Sequence, residues 1–325
     1  MNTMTKMFSK DILFIENIES VCEEICQTLK GNIGKRLKRR GAVVGISGGI
    51  DSSLVLALAS RALGSENVLG ILLPEKDSSP DSLILAQQLA DKFGVETVIE
   101  DISSALEGFD CYKRRDAAIS KVFPEFDPIS YKAKIEIKQN VEQAMPAVFS
   151  VTVVDCNGLQ KSKLLPAKEY LQIVASTNFK QRSRMSMLYY YAESLHYAVV
   201  GTPNKHEVEQ GFFVKYGDGG ADVMPIGHLY KTQVYQLAAY LGVPQEIIDR
   251  TPTTDTYSAE QTQEEFFYQM PFKEMDLVWY AWENEYAAEE VADVLNKSAD
   301  QVLNIYKNFE RKRRTTDYLR SAPIF

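Results

Sequence analysis

The chain has 325 residues, of which 45% are hydrophobic and 25% are charged, a balance typical of soluble globular proteins. This composition excludes a disordered chain, a collagen-like fibre and a coiled-coil rod, and the net charge of −8 argues against binding to nucleic acid through overall electrostatic attraction. The four cysteines are too scattered for a disulfide framework, and neither a signal peptide nor an apolar run that could cross a bilayer is recognisable, so we expect a cytoplasmic protein without contact to a membrane.

Short apolar runs alternate with stretches of helical periodicity. The predicted strands are 42–46, 68–73, 96–100 and 197–200, and the predicted helices are 11–31, the stretch from 52 onward, 80–93 and 182–195. Strands that alternate with helices in this way predict an α/β fold with a doubly wound parallel sheet. Right-handed crossovers bring the carboxyl ends of the strands to one edge of the sheet, where we expect the ligand site.

Two regions depart from this alternation. Residues 110–165 are rich in charge, contain three prolines and include one β-rich run at 148–154, which we interpret as an insertion or flap. Residues 255–325 are predicted to be a helical C-terminal extension, in which Ser298-Ala299-Asp300-Gln301 is a capping-box pattern. We expect both regions to belong to a single domain that spans residues 1–325.

The strongest chemical signal lies between the first predicted strand and the following helix. It reads Gly45-Ile46-Ser47-Gly48-Gly49-Ile50-Asp51-Ser52. The paired glycines allow a tight turn whose N–H groups can approach an anion, and the positive end of the next helix points to the same place, so phosphate is the expected occupant. Asp51 would repel phosphate unless a divalent cation such as Mg²⁺ lay between them.

The Ser-Gly-Gly-x-Asp-Ser pattern is neither a Walker loop nor a dinucleotide fingerprint, and it is too specific for a purely structural glycine turn. It resembles the pyrophosphate-binding loop of the ATP pyrophosphatase superfamily, whose members cleave ATP to AMP and pyrophosphate. Later blocks at 178–185, 201–207, 211–226, 229–234 and 250–255 occur in the order found in the ammonia-dependent NAD synthetases. This resemblance covers most of residues 10–110 and 175–285, and it implies an adenine nucleotide alpha-hydrolase-like fold.

The resemblance also implies a role for individual residues. The implied ATP-binding set is Gly45, Ile46, Ser47, Gly48, Gly49, Asp51, Ser52, Thr202, Lys231 and Thr253. The implied set for deamido-NAD is Arg182, Phe212, Lys215 and Asp222. Asp51 and Glu207 would hold magnesium, and Asp51 and Lys231 are the expected catalytic residues, because a fixed lysine can neutralise the charge of the leaving pyrophosphate. The open alternatives are a helix cap for Asp51 and a solvated surface position for Glu207; His206 is expected to line the site.

The reaction implied by the resemblance is adenylation of the carboxylate of deamido-NAD by ATP, followed by attack of ammonia to give NAD and AMP. No glutaminase is recognisable in the sequence, so free ammonia or a separate ammonia-supplying glutaminase is the expected nitrogen source. Family members are homodimers. The three consecutive tyrosines at 189–191 cannot all face one core, because neighbours on a helix point about 100° apart, so we expect at least one of them to meet a partner chain or the substrate.

Three features depart from the family pattern. Gln263 stands where an aspartate is usual, Tyr318 and Leu319 replace a His-Lys pair, and the 110–165 region is longer than the usual connection. These departures leave two alternatives open: an amide ligase that adenylates a different carboxylate, and a nucleotide-binding protein without catalytic activity.

Overall fold

The computed structural model describes residues 7–142, 148–253, 257–259 and 261–325, with Lys138 described by its backbone alone. The strands are β1 Ala42–Gly45, β2 Val68–Leu72, β3 Glu96–Ile99, β4 Tyr131–Lys138, β5 Val148–Asp155, β6 Gln160–Leu164 and β7 Ala198–Val200. The helices are α1 Ile18–Gly31, α2 Ile50–Leu63, α3 Pro80–Phe93, α4 Ser103–Gly108, α5 Cys111–Val122, α6 Ala167–Leu195, α7 Lys205–Gln210, α8 Lys231–Tyr240, α9 Gln245–Asp249, α10 Phe272–Glu283, α11 Ala288–Leu295, α12 Ala299–Thr315 and α13 Asp317–Arg320.

The central sheet is parallel and has the order β3-β2-β1-β7, which confirms the predicted fold class. The chain runs from β1 outward to β2 and β3, and it returns to the other side of β1 only at β7. This reversal of strand order lies between β1 and β7, and ligands of open α/β sheets bind at the carboxyl ends of such a strand pair.

Helices cover both faces of this sheet. One apolar core joins α1, α2, α3 and α8 to one face, and a second core joins α4, α5 and α6 to the other. The interior strands are accordingly almost continuously apolar, as in Ala42-Val43-Val44, which is fully buried. A third cluster unites α10, α11 and α12 at the C-terminal end of the chain.

The β-rich run at 148–154 is not isolated. It forms β5, which pairs antiparallel with β4 on one side and β6 on the other. We call this three-stranded unit (β4, β5 and β6) the accessory sheet. Its buried face packs against α5 and α6 through a fourth apolar cluster, which also takes in Tyr257.

The helix expected over 11–31 begins only at Ile18. Asn17 caps it by accepting a hydrogen bond from the Ser20 amide at 3.0 Å. Ile12 and Leu13 lie before this helix and pack into the cluster formed by α10, α11 and α12. Their apolar character therefore reflects burial and not membership of the helix. The capping box at Ser298 is confirmed. Within the described ranges no helix combines the length and apolar character needed to cross a membrane.

Candidate active site

The glycine loop connects β1 to α2 and is shaped by its own serines. Gly48 has a φ of +72°, and a Cβ there would lie 2.6 Å from the carbonyl oxygen of Ser82, so this position requires glycine. The Ser47 amide donates to the Ser52 hydroxyl at 3.3 Å, and the Ser52 hydroxyl in turn donates to the Gly49 carbonyl at 3.1 Å. The loop is therefore held in one conformation, with the amino end of the 14-residue helix α2 beside it.

Two carboxylates and one lysine meet at the reversal of strand order. Asp51 lies in the first turn of α2 after β1, Glu207 lies in α7 after β7, and Lys231 is the first residue of α8. The Lys231 ammonium forms a salt bridge with Asp51, and its side chain is fully buried. Asn204 links the two carboxylates, because its side-chain amide donates to Asp51 Oδ1 at 3.1 Å and its backbone amide donates to Glu207 Oε2 at 2.9 Å.

The charges in this group depend on one another. Burial, and next the nearby Asp51, raises the pKa of Glu207 to about 8, while Lys231 acts in the opposite direction. For Lys231 burial opposes the charge, but Asp51 and Glu207 outweigh it and raise the pKa of the ammonium. The site therefore keeps a permanent cation beside two carboxylates, one of which binds its proton unusually tightly.

Asp51 and Glu207 line a cavity of about 130 Å³. Seven residues from the expected ATP or magnesium sets line it: Ser47, Gly49, Asp51, Ser52, Thr202, Glu207 and Thr253. Lys231 lies behind them in contact with Asp51, while Gly45, Ile46 and Gly48 shape the loop. The lining also includes residues that were not predicted, among them Ser82, Arg250 and Thr251, and the Arg250 guanidinium donates to the Ser82 hydroxyl at 3.1 Å. Thr254 and Asp255 of the block at 250–255 lie outside the described residues.

His206 does not line the site, and that interpretation was wrong. Its ring is fully buried among Tyr230, Tyr268 and Trp279, and Nε2 lies 2.6 Å from Oδ1 of the equally buried Asp276. Asp276 also accepts hydrogen bonds from the backbone amides of Lys231 and Thr232, at 3.3 and 2.7 Å, and so caps α8 at the residue that carries the ammonium. Asp276 was not predicted because it lies 45 residues beyond Lys231, in a helix whose other charged residues, Lys273, Glu274 and Glu283, give no functional signal.

The residues expected to bind deamido-NAD are not among those that line this cavity, and they contact one another only in part. Arg182 Nε donates to the Lys215 carbonyl at 3.2 Å. The Lys215 ammonium donates to two carbonyls of the C-terminal segment, those of Tyr318 at 2.8 Å and Ser321 at 2.7 Å. The segment with the unusual Tyr318 therefore contacts a residue expected to bind the substrate.

Asp222 and Phe212, the other two residues expected to bind deamido-NAD, contact other residues of the chain. The Asp222 carboxylate accepts from the Tyr189 hydroxyl at 3.0 Å and from the Val199 amide at 2.9 Å, next to the end of β7. Phe212 stacks on Phe267 with ring centroids 4.6 Å apart and an interplanar angle of 24°. The four residues are thus held by separate contacts: Arg182 with Lys215, Asp222 with Tyr189 and Val199, and Phe212 with Phe267.

The donor set suits a hard divalent cation. Asp51 and Glu207 offer carboxylate oxygens, which Mg²⁺ prefers, and the raised pKa of Glu207 reflects in part a repulsion that a cation between the two would relieve. Within the described ranges no group of three or more acidic, His or Cys side chains could enclose a metal ion. Two carboxylates plus phosphate oxygens and water is the usual arrangement for Mg²⁺ on a nucleotide, so the residues present fit the ion.

The glycine loop lies where the strand order reverses between β1 and β7, and two carboxylates and a buried lysine lie beside it. This arrangement defines an ATP-using enzyme of the pyrophosphate-loop type. Comparison with known proteins identifies its family. The NAD synthase family model matches residues 21–127 and 128–316. The chain is 46% identical to a protein of Rhizobium meliloti (strain 1021) named NH(3)-dependent NAD(+) synthetase, over 98% of this chain and 94% of that protein. The chain therefore belongs to the NAD synthase family.

Solved structures agree on the fold. An NH3-dependent NAD synthetase from Campylobacter jejuni superposes with a TM-score of 0.62 at 22% identity, covering 96% of this chain and 99% of that one. An NMN synthetase from Francisella tularensis superposes with a TM-score of 0.63 at 21% identity, covering 95% and 98%. These two identities are low, so the structures support the architecture and not the choice of substrate.

Proposed function

We propose that this protein is an ammonia-dependent NAD synthetase, which uses ATP to convert deamido-NAD to NAD and releases AMP and pyrophosphate. The observation that carries the proposal is the buried Lys231–Asp51 pair, with Glu207 beside it, at the mouth of a glycine loop. This arrangement provides the negative and positive charges that ATP cleavage needs, and relatives at 46% and 48% identity bear the name of this activity.

The residues of the ATP half act by position and charge. The amides and hydroxyls of the glycine loop, with Ser47 and Ser52 at its ends, hold the phosphates beside the amino end of α2. Lys231 stabilises the charge that develops on the leaving pyrophosphate, where a preorganised cation lowers the barrier most. Asp51 and Glu207 would hold magnesium, which neutralises phosphate charge when bound.

The acceptor half has to bind a dinucleotide with a negative pyrophosphate and a nicotinate carboxylate. Arg182 and Lys215 supply cations, and the Phe212–Phe267 pair supplies an apolar face for an aromatic ring. Attack of the carboxylate on the α-phosphorus of ATP releases pyrophosphate and forms an acyl-adenylate. Ammonia then attacks the acyl carbon, displaces AMP and loses a proton to give the amide. Neither step requires a nucleophilic side chain, so holding the two substrates in line is the main task of the protein.

The test is an assay with purified protein, ATP, magnesium, ammonium and deamido-NAD, in which AMP, pyrophosphate and NAD are quantified together. We expect the three products in equal amounts. AMP release with nicotinate mononucleotide or another carboxylate, and none with deamido-NAD, would support the alternative of an amide ligase with a different acceptor. ATP binding without turnover on any carboxylate would support the non-catalytic alternative.

We further propose a cytoplasmic homodimer that receives ammonia from solution or from a separate glutaminase. Two of the three consecutive tyrosines are engaged within the chain: Tyr189 donates to the Gly220 carbonyl at 2.8 Å and Tyr191 to Glu100 at 2.8 Å. Tyr190 is 60% exposed and is available to a partner. Sedimentation at micromolar concentration should give a dimer for the native chain and a monomer for Tyr190→Glu; a fully active native monomer would contradict the proposal.

A further inference from the structure

The cavity wall formed by the chain after α9 is a short paired structure. Thr253 and Thr262 form an antiparallel bridge, and the Gln263 amide donates to the Pro252 carbonyl at 3.0 Å. Thr251, Pro252, Thr253 and Gln263 all line the cavity. We call residues 251–253, 257–259 and 261–263 the nucleotide arm. Its two ends, 251–253 and 261–263, pair with each other beside the cavity, and its middle is 257–259.

The middle of the nucleotide arm is bonded to the accessory sheet. The Ala133 amide of β4 donates to the Ser258 hydroxyl at 2.9 Å, and the Ala259 amide donates to the Ala133 carbonyl at 3.2 Å. One residue of β4 thus binds the arm through both its backbone groups. Ser258 and Ala133 are 125 residues apart in sequence, so this contact depends on the tertiary fold.

An apolar anchor reinforces the hydrogen bonds. Tyr257 is 6% exposed and packs in the apolar cluster of the accessory sheet, with its ring centroid 5.6 Å from that of Phe266. The residues on both sides of Ser258 are therefore fixed: Tyr257 by packing and Ala259 by its backbone bond. The arm cannot move away from β4 without exposing a buried tyrosine to water.

A second part of the cavity lining, around Ser82, is also connected to α5. Asp77, in the segment between β2 and α3, forms a salt bridge with Arg115 of α5, and Glu75 accepts from the Tyr112 hydroxyl at 2.7 Å. All four side chains are largely buried. This segment leads directly to Ser82, which lines the cavity and bonds Arg250 next to the arm.

From these contacts we infer that the accessory sheet is a working part of the ATP site: it positions the nucleotide arm, and Ser258 is the positioning residue that joins them. The inference rests on the proposed function only in naming ATP as the nucleotide. It gives a role to residues 110–165, which the sequence indicated only as an insertion or flap, because their contacts lead to the cavity beside the glycine loop.

The test measures binding of the non-hydrolysable analogue α,β-methylene-ATP by titration calorimetry, with magnesium and without any acceptor. Ser258→Ala removes both hydrogen bonds between the Ser258 hydroxyl and the backbone of Ala133, and we expect the dissociation constant to rise about two- to tenfold. Ser258→Thr keeps the hydroxyl and should restore binding. Ser150→Ala is the matched control, since Ser150 lies in β5 of the same sheet and its buried hydroxyl has no hydrogen-bond partner within the described part of the chain.

A second measurement separates positioning from loss of structure. Hydrogen exchange at the Ala133 and Ala259 amides should slow when the analogue binds to the native chain, and this slowing should be lost in Ser258→Ala at an unchanged melting temperature. Native-like affinity in Ser258→Ala, equal weakening in Ser150→Ala, or failure of Ser258→Thr to restore binding would each overturn the inference. No acceptor is present in these measurements, so their outcome does not depend on the proposed amidation reaction. Failure of the inference and failure of the proposed function can therefore be told apart.

Discussion

Replacing Lys231 with methionine removes the buried cation of the site and keeps most of its apolar volume. The side chain is fully buried and paired with Asp51, whose side chain is 15% exposed, and Glu207 adds a second carboxylate nearby. Removing one partner of a buried ion pair costs about 3–5 kcal/mol, because the remaining charge is left uncompensated. For a chain of 325 residues the entropy of unfolding is about 0.7 kcal/mol per degree, so we expect the melting temperature to fall by roughly 4–7 °C.

The same substitution should slow the release of pyrophosphate by about a hundred- to a thousandfold, the usual loss when one preorganised transition-state partner is removed. The control is the double variant Asp51→Asn with Lys231→Met, in which both charges are gone. Its melting temperature should be higher than that of Lys231→Met by at least half of the decrease, since a neutral pair leaves no unpaired buried charge. Its activity should stay as low as that of Lys231→Met. Calorimetry and a pyrophosphate-release assay on the same preparations decide the matter. A Lys231→Met protein with native melting temperature, or with pyrophosphate release within tenfold of native, would refute the reasoning.

Three further results are expected. Gly48→Ala should lower the melting temperature clearly more than Gly49→Ala, because Gly48 has a φ of +72° and a Cβ there meets the Ser82 carbonyl at 2.6 Å, whereas the Gly49 Cβ meets only a serine hydroxyl at 3.4 Å. Asp276→Asn should reduce kcat more than it raises the KM for ATP, since this residue holds the amino end of α8 in place without lining the cavity; equal kinetics would contradict that role. Burial raises the pKa of Asp218 from 3.8 to about 6, so the folded state binds this proton more tightly than the unfolded state. As the pH rises from about 4 to about 6, the free energy of unfolding should therefore fall by at most about 3 kcal/mol relative to Asp218→Asn. Urea titrations of both proteins at each pH measure this difference.

The parallel sheet and the glycine loop could be predicted because their signals are local. Val43 and Val44 belong to a short apolar run, and Gly48 follows within a few residues, so strand, turn and helix are all encoded within about twenty positions. The position of Glu207 near Asp51 could also be predicted, since both follow strands of one parallel sheet.

What could not be predicted depends on pairings between distant segments. The burial of His206 requires Asp276, which comes 70 residues later on a helix that carries no functional signal of its own. The contact of Ser258 with Ala133 joins a loop to β4. The alternation of apolar and charged residues in β4 indicates a half-buried strand, but nothing local in the sequence indicates that this strand meets a loop 125 residues later. Hydrogen bonds of this kind leave no periodicity in the sequence.

The reactive charges of this protein come from segments that meet only in the complete fold. Asp51 stands on α2, Glu207 on α7 and Lys231 on α8, while Asp276 of α10 fixes the amino end of α8. Each helix begins close to the proposed ATP cavity or is tied to one that does, so a change as distant as α10 would reach the site through two hydrogen bonds and one helix end. When catalysis relies on the placement of charges and not on a nucleophilic side chain, the activity depends on several residues together. Catalysis therefore depends on how these helices are held, and substitutions that shift α8 should affect the rate as strongly as substitutions of the residues proposed to bind ATP.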